Sequence, residues 1–291
     1  VSNPTRGDST EYVQEYVDRG TDRIGLHVYP TPDDPAAPAV VVWPAMGVPA
    51  RYYRPFAREL TAAGLAVVVA DLRGTGSSTP RPSRRSRYGM AELVADVGAV
   101  QEALKSRVDG RATLLVGHSL GGQAALLHLA TADGSLHSTV DGLVLVAVGL
   151  PYFRAYPGRR AATVLPYTQS IVAATELFGV WPGWGFGGRQ ARGVIRDWGY
   201  TARHGRYPRL GGVDVEAALP ALRTPVLAVS VAGDRFTPES TMDDLVGRLA
   251  GAPVTREHYA VQDQPLDHFR WVRASGPLAA RIAGFAAGLA R

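Results

Sequence analysis

Five short aliphatic runs, at 39–43, 65–70, 112–116, 143–148 and 226–231, are set apart by longer stretches. Runs this apolar do not alternate polar with apolar positions, so each strand must be covered on both faces. The stretches between the first four runs include 51–63, 91–107 and 120–130, which read as helices. In the second of these Leu93, Val97, Val100 and Leu104 fall on one side at helical period. Strands alternating with helices of this length form a mostly parallel sheet with helices on both faces. The fold class is therefore α/β. Two alternating stretches at 12–17 and 23–29 predict an antiparallel pair ahead of it. The last strand is expected at 254–259 and the last helix at 271–290.

The alternation breaks once, between 151 and 220. That stretch carries Trp181, Trp184, Phe186 and Trp198 among glycines and prolines. It lies between two strands expected to be neighbours and is too long for a structureless loop. It predicts a helical cap, 151–220, inserted into a core made of 1–150 and 221–291. The four aromatics are candidates for the wall of an apolar substrate site; they serve equally well as the cap's own small core.

The 291 residues include no cysteine, which excludes a cysteine nucleophile, a cysteine-ligated zinc and a disulfide framework. No cluster of histidines and carboxylates has metal-ligand spacing, so neither metal nor cofactor is expected. The net charge of +5 comes from 31 basic and 26 acidic residues. Lys105 is the only lysine, and the arginines are spread along the chain, which argues against a nucleic-acid partner. No apolar run approaches the roughly 18 residues of a membrane span. Residues 1–10 are polar and carry no signal-peptide core, which predicts a soluble, cytoplasmic protein.

The chemistry begins at 117–122, Gly-His-Ser-Leu-Gly-Gly, directly after a strand and directly before a helix. A serine on such a sharp turn is held out above the sheet, and its neighbours two residues either side have to be small. Gly117 and Gly121 meet that demand, and the helix start favours developing negative charge. Ser119 is the candidate nucleophile.

On this elbow and its strand–helix setting the chain resembles the α/β-hydrolases over essentially its whole length. The likeness is to the branch of serine hydrolases with esterase, lipase-like and acyltransferase members. The resemblance implies an acid after a late strand and a histidine near the C-terminus. Asp234, in Ala-Gly-Asp-Arg-Phe-Thr-Pro at 232–238, follows the 226–231 strand; Asp243 and Asp244 fall inside the next helix. His268 lies in the loop before the last helix, whereas His258 falls within the last strand and is read as a packed or surface side chain. His118 sits on the other side of the elbow and is read as packing; His27, His128, His137 and His204 have no matching context. The backbone N–H of Leu120 and one from the loop after Trp43 would form an oxyanion hole, Met46 being the expected second donor and Ala45 the alternative.

The resemblance implies a serine esterase acting on a small-molecule acyl substrate. Its rivals are an acyltransferase or thioesterase working on a carrier-bound or secondary-metabolite acyl group, and a catalytically silent binding protein on the same fold. The turn Asp-Leu-Arg-Gly-Thr-Gly-Ser at 71–77 reads as structural, because a lone Gly-x-Gly without a following lysine is weak evidence for a phosphate cradle. The arginine-rich run 81–87 reads as a solvated loop, with attraction of an anionic substrate group as the second reading.

Overall fold

The computed structural model describes residues 11–132 and 140–289; the polar start at 1–10 and His137 lie outside them. A hairpin opens the described chain, β1 (Val13–Arg19) and β2 (Asp22–Val28), with Gly20 taking the left-handed conformation in its turn. Then β3 (Ala39–Trp43), α1 (Arg54–Ala62), β4 (Ala66–Ala70), α2 (Met90–Val108), β5 (Thr113–His118), α3 (Leu120–Thr131) and β6 (Gly142–Val146) alternate as strand and helix. After an insert, β9 (Val226–Val231), α7 (Glu239–Val246), β10 (Val254–Tyr259) and α8 (Gly276–Leu289) complete the sheet. The insert contains α4 (Arg160–Phe178), a two-residue pair β7 (Val180–Trp181) and β8 (Gln190–Ala191), α5 (Arg192–His204) and the single turn α6 (Val215–Ala218).

The eight-stranded sheet runs β1-β2-β4-β3-β5-β6-β9-β10. β4, β3, β5, β6, β9 and β10 are mutually parallel, and β1 and β2 form the antiparallel edge, as the patterning implies. Alternate residues of each central strand enter two separate cores. Val41 and Trp43 join Leu115 and the faces of α2 and α3, while Val40 and Val42 join Leu114, Val116, α1 and α8. That is why these strands read as unbroken apolar runs.

Two helices start later than periodicity suggests, and proline is the reason both times. Residues 50–53 form a separate 3-10 turn and α1 begins at Arg54, because Pro55 has no N–H to return to the carbonyl of residue 51. The C-terminal stretch likewise divides into a 3-10 turn, Arg270–Ala274, and α8, whose second residue is Pro277. β6 stops at Val146 and not at 148. Ala147 has a φ of 50°, a conformation that turns the chain out of the strand.

Candidate active site

Ser119 has φ 52° and ψ −121°, between the end of β5 and the first residue of α3. A non-glycine residue rarely occupies that region, and the surroundings hold it there. A Cβ on Gly117 would lie 2.1 Å from Gly122 Cα, and one on Gly121 would lie 2.3 Å from the Pro44 carbonyl oxygen and 2.4 Å from that of Trp43. The two glycines of the motif are therefore demanded by backbone passing at contact distance.

Asp234 and His268 meet although 34 residues apart. His268 Nδ1 is 2.8 Å from Asp234 Oδ2, and both side chains are buried. The other carboxylate oxygen accepts from the backbone N–H groups of Phe236 (2.8 Å) and Thr237 (3.0 Å). The Thr237 hydroxyl lies 2.5 Å from Asp234 Oδ2. Burial pushes the Asp234 carboxyl upward, but the hydrogen bonds from His268 and Thr237 outweigh it and hold the group below the ordinary carboxylate range. An ionised Asp234 fixes the Nδ1–H tautomer of His268 and leaves Nε2 as the basic nitrogen. Thr237 was not singled out from sequence. Its signal is a short polar residue three positions after an aspartate, the pattern of a local side-chain turn.

Ser119, Leu120, Met46 and His268 line one cavity of about 200 Å³. No hydrogen bond joins the Ser119 hydroxyl to the imidazole in this rotamer. Of the four insert aromatics, Phe186 and Trp198 line this cavity. Trp181 is buried behind them, its indole N–H donating to the Phe186 carbonyl (2.8 Å), and Trp184 is 62% exposed. His258 stands on β10 away from the cavity, its Nδ1 2.9 Å from Ser230 Oγ.

The loop after β3 is organised by a chain of hydrogen bonds that sequence reading did not anticipate. The Ala45 N–H donates to Tyr53 Oη (2.8 Å), and Tyr53 Oη is 2.6 Å from His118 Nδ1. Ala45 is thus committed, whereas Met46 N–H has no hydrogen-bond partner among the described residues. His118 is fully buried, its ring 4.7 Å from that of His268. Its pKa lies well below the ordinary histidine range, first because of burial and then because of the neighbouring imidazole.

His27 is shifted down as well, by burial partly opposed by Asp71. Both histidines take up a proton less readily in the folded chain than in the unfolded chain, which protonates them below about pH 6.5. Their contribution is therefore complete above that pH and is lost on acidification, at up to about 1.4 kcal/mol per pH unit for each. Urea midpoints between pH 7.5 and 5 should fall accordingly, with a smaller slope in His27→Gln. Midpoints flat across that window would contradict buried neutral imidazoles.

The family model described as serine aminopeptidase, S33, matches residues 34–261 of the chain. The chain is an α/β-hydrolase. Solved structures agree on the fold of this hydrolase. A lipase candidate, Lip1, from Acinetobacter baumannii AYE superposes with a TM-score of 0.67 at 16% identity, covering 96% of this chain and 92% of that one. Est1E from Butyrivibrio proteoclasticus, solved with ferulic acid, gives 0.63 at 15% identity over 94% and 99%. The thioesterase domain of the curacin biosynthetic pathway gives 0.60 at 17% over 96% and 100%. No curated protein sequence matches the chain. Among the described residues no helix of this α/β-hydrolase is long and apolar enough to cross a membrane, and no three His, Asp or Glu side chains are arranged to hold a metal ion.

Proposed function

We propose that the protein hydrolyses carboxylic esters through an acyl-enzyme on Ser119. The observation that carries this is the strained Ser119 opening onto the same cavity as an imidazole oriented by a buried carboxylate. On substrate binding the Ser119 hydroxyl turns to His268 Nε2, a hydrogen bond that in enzymes of this kind tightens with substrate present. Oγ then attacks the carbonyl carbon as its proton passes to Nε2. The carbon–oxygen bond of the ester breaks, and the imidazolium returns the proton to the departing alcohol. Water repeats the sequence and frees the acid. Asp234 orients the ring and stabilises its charged form. The Leu120 N–H, at a helix start with no partner in its own helix, and the uncommitted Met46 N–H hold the oxyanion, each contributing about 3 kcal/mol.

The insert, 151–220, acts as a cap, with Phe186 and Trp198 against the acyl group. A cavity of about 200 Å³ is smaller than the roughly 300–1,000 Å³ of most ligand pockets, which favours short acyl chains. An aminopeptidase, as the family description has it, must hold a protonated amine beside the scissile bond. This cavity is lined by Arg160 and Arg235 and by no carboxylate, which favours esters over such substrates.

The test is a series of p-nitrophenyl esters from acetate to decanoate, run with and without an added alcohol or amine. Acetate and butyrate should exceed decanoate by about tenfold or more in kcat/KM, with water as the dominant acceptor. Preferred transfer to the added nucleophile would make the protein an acyltransferase. No turnover of any ester would leave a binding protein on a hydrolase fold.

A further inference from the structure

A second cavity, of about 290 Å³, lies on the far side of the loop that carries Met46. Gly47, Arg51, the turn Gly74-Thr75-Gly76, Arg81 and Arg189 line it, and no carboxylate does. Among the described residues none of these three arginines forms an ion pair. Other arginines on the surface are also unpaired. These three are distinguished by converging on one concavity, where like charges repel unless an anion sits among them.

Two of them are held in place by neutral backbone oxygens. Arg81 Nη2 donates to the Gly76 carbonyl (2.5 Å) and Arg189 Nε to that of Pro82 (2.8 Å), so each guanidinium keeps its charge and most of its donors. The nearby acid, Asp71, lies beneath the turn with its oxygens engaged by Ala50 N–H, Ser77 N–H and the Ser77 hydroxyl. Gly76 has to be glycine because a Cβ there would lie 2.0 Å from Asp71 Oδ1. Thr75 adds a hydroxyl with no hydrogen-bond partner among the described residues. The loop carrying Met46 and the 187–188 backbone lie between this cavity and the catalytic one. A Cβ on Gly47 would be 2.1 Å from the Gly187 carbonyl oxygen, and Gly187 lines the catalytic side.

We propose that this second cavity binds a phosphate group. Three planar guanidinium forks match three phosphate oxygens, whereas a carboxylate offers two. The volume is roughly ten times the ~30 Å³ of one water in the liquid, room for a phosphate and the start of the arm that bears it. The phosphate belongs either to the acyl substrate's leaving arm, which rests on the hydrolase reading above, or to a free anion that acts as an effector.

Direct binding of inorganic phosphate is measured first by calorimetry on the resting protein, with chloride as control, and needs no turnover. The expected result is saturable binding at about 1 mM or tighter, weakened tenfold or more in Arg51→Gln/Arg81→Gln with an unchanged melting temperature. Equal binding of chloride, or phosphate affinity untouched by the double substitution, would overturn the proposal. The source is then read from butyryl-4′-phosphopantetheine against butyryl-pantetheine. For a substrate-borne phosphate, the phosphorylated thioester has the higher kcat/KM, and inorganic phosphate raises KM for it alone. For an effector, inorganic phosphate changes turnover of both thioesters equally. Failure of both thioesters and all esters to turn over, with phosphate still bound, would remove the hydrolase reading and leave the anion site standing.

Discussion

Ser119→Ala is expected to lose all labelling by a fluorophosphonate and to lower ester turnover by about 10⁴-fold or more. His268→Ala should fall as far, and the double variant hardly further, because a nucleophile and its base act as one unit. Asp234→Ala should fall less than either. His258→Ala should keep most of its activity, since that ring is bonded to Ser230 on β10 and does not line the cavity. Adduct mass located at Ser119, lost in Ser119→Ala and sharply reduced in His268→Ala, is the deciding measurement. Labelling that survives in Ser119→Ala would remove the proposed nucleophile. A separate readout comes from the backbone. Residue 119 sits at φ 52°, so Ser119→Gly should also be inactive yet more stable, by about 1 kcal/mol, because glycine adopts that conformation without strain.

Gly121→Ala is the second change with a large effect, and it acts on the same chemistry without touching a reacting group. The added methyl would lie 2.3 and 2.4 Å from the carbonyl oxygens of Pro44 and Trp43. Those are rigid backbone atoms at the start of the loop carrying Met46, so relief requires α3 and that loop to separate. Overpacking of this kind costs about 1–3 kcal/mol of stability. Turnover should suffer more than stability does. Displacing one oxyanion donor by a fraction of an ångström forfeits much of its contribution, and kcat should drop by about 10²-fold with KM little changed. A melting temperature within a degree of the parent together with unaltered kcat would show that the elbow and the loop are not in contact as described.

The sheet was legible in the sequence because its central strands bury both faces, and a short aliphatic run with at most one small polar residue has few other uses. Asp234 and His268 could be paired from the sequence because the resemblance implies an acid after a late strand and a histidine before the last helix, and the fold brings those two side chains to 2.8 Å. Three features escaped. The prolines at 55 and 277 were visible, but apolar periodicity outweighed them, and both helices begin later than the pattern suggests. The insert aromatics have no period, since Gly183, Gly185, Gly187 and Gly188 all take positive φ and turn successive side chains in different directions. Trp181 and Trp184 consequently lie off the catalytic cavity while Phe186 lines it. Hardest to foresee was the link from Ala45 through Tyr53 to His118. Its members come from a loop, a 3-10 turn and a strand end, and only the assembled fold brings them within hydrogen-bond reach.

The contact between Gly47 and Gly187–Gly188 bears on how such an enzyme can be rebuilt. Gly47 meets the backbone of Gly187 and Gly188 there with the Met46 side chain packed beside it, so the 187–188 stretch and the loop carrying Met46 are a matched pair. Grafting the corresponding segment of a relative onto this scaffold should alter selectivity without disturbing the loop only if the donor backbone passes Gly47 on the same path. A bulkier residue at 187 would come within 2.6 Å of the Met46 sulfur and one at 188 within 3.3 Å of the Gly47 Cα, so either should disturb the loop and the chemistry it serves. Recombination at 151–220 alone is therefore the wrong cut for redesign, and a chimera should carry the stretch from Pro44 to Val48 with it.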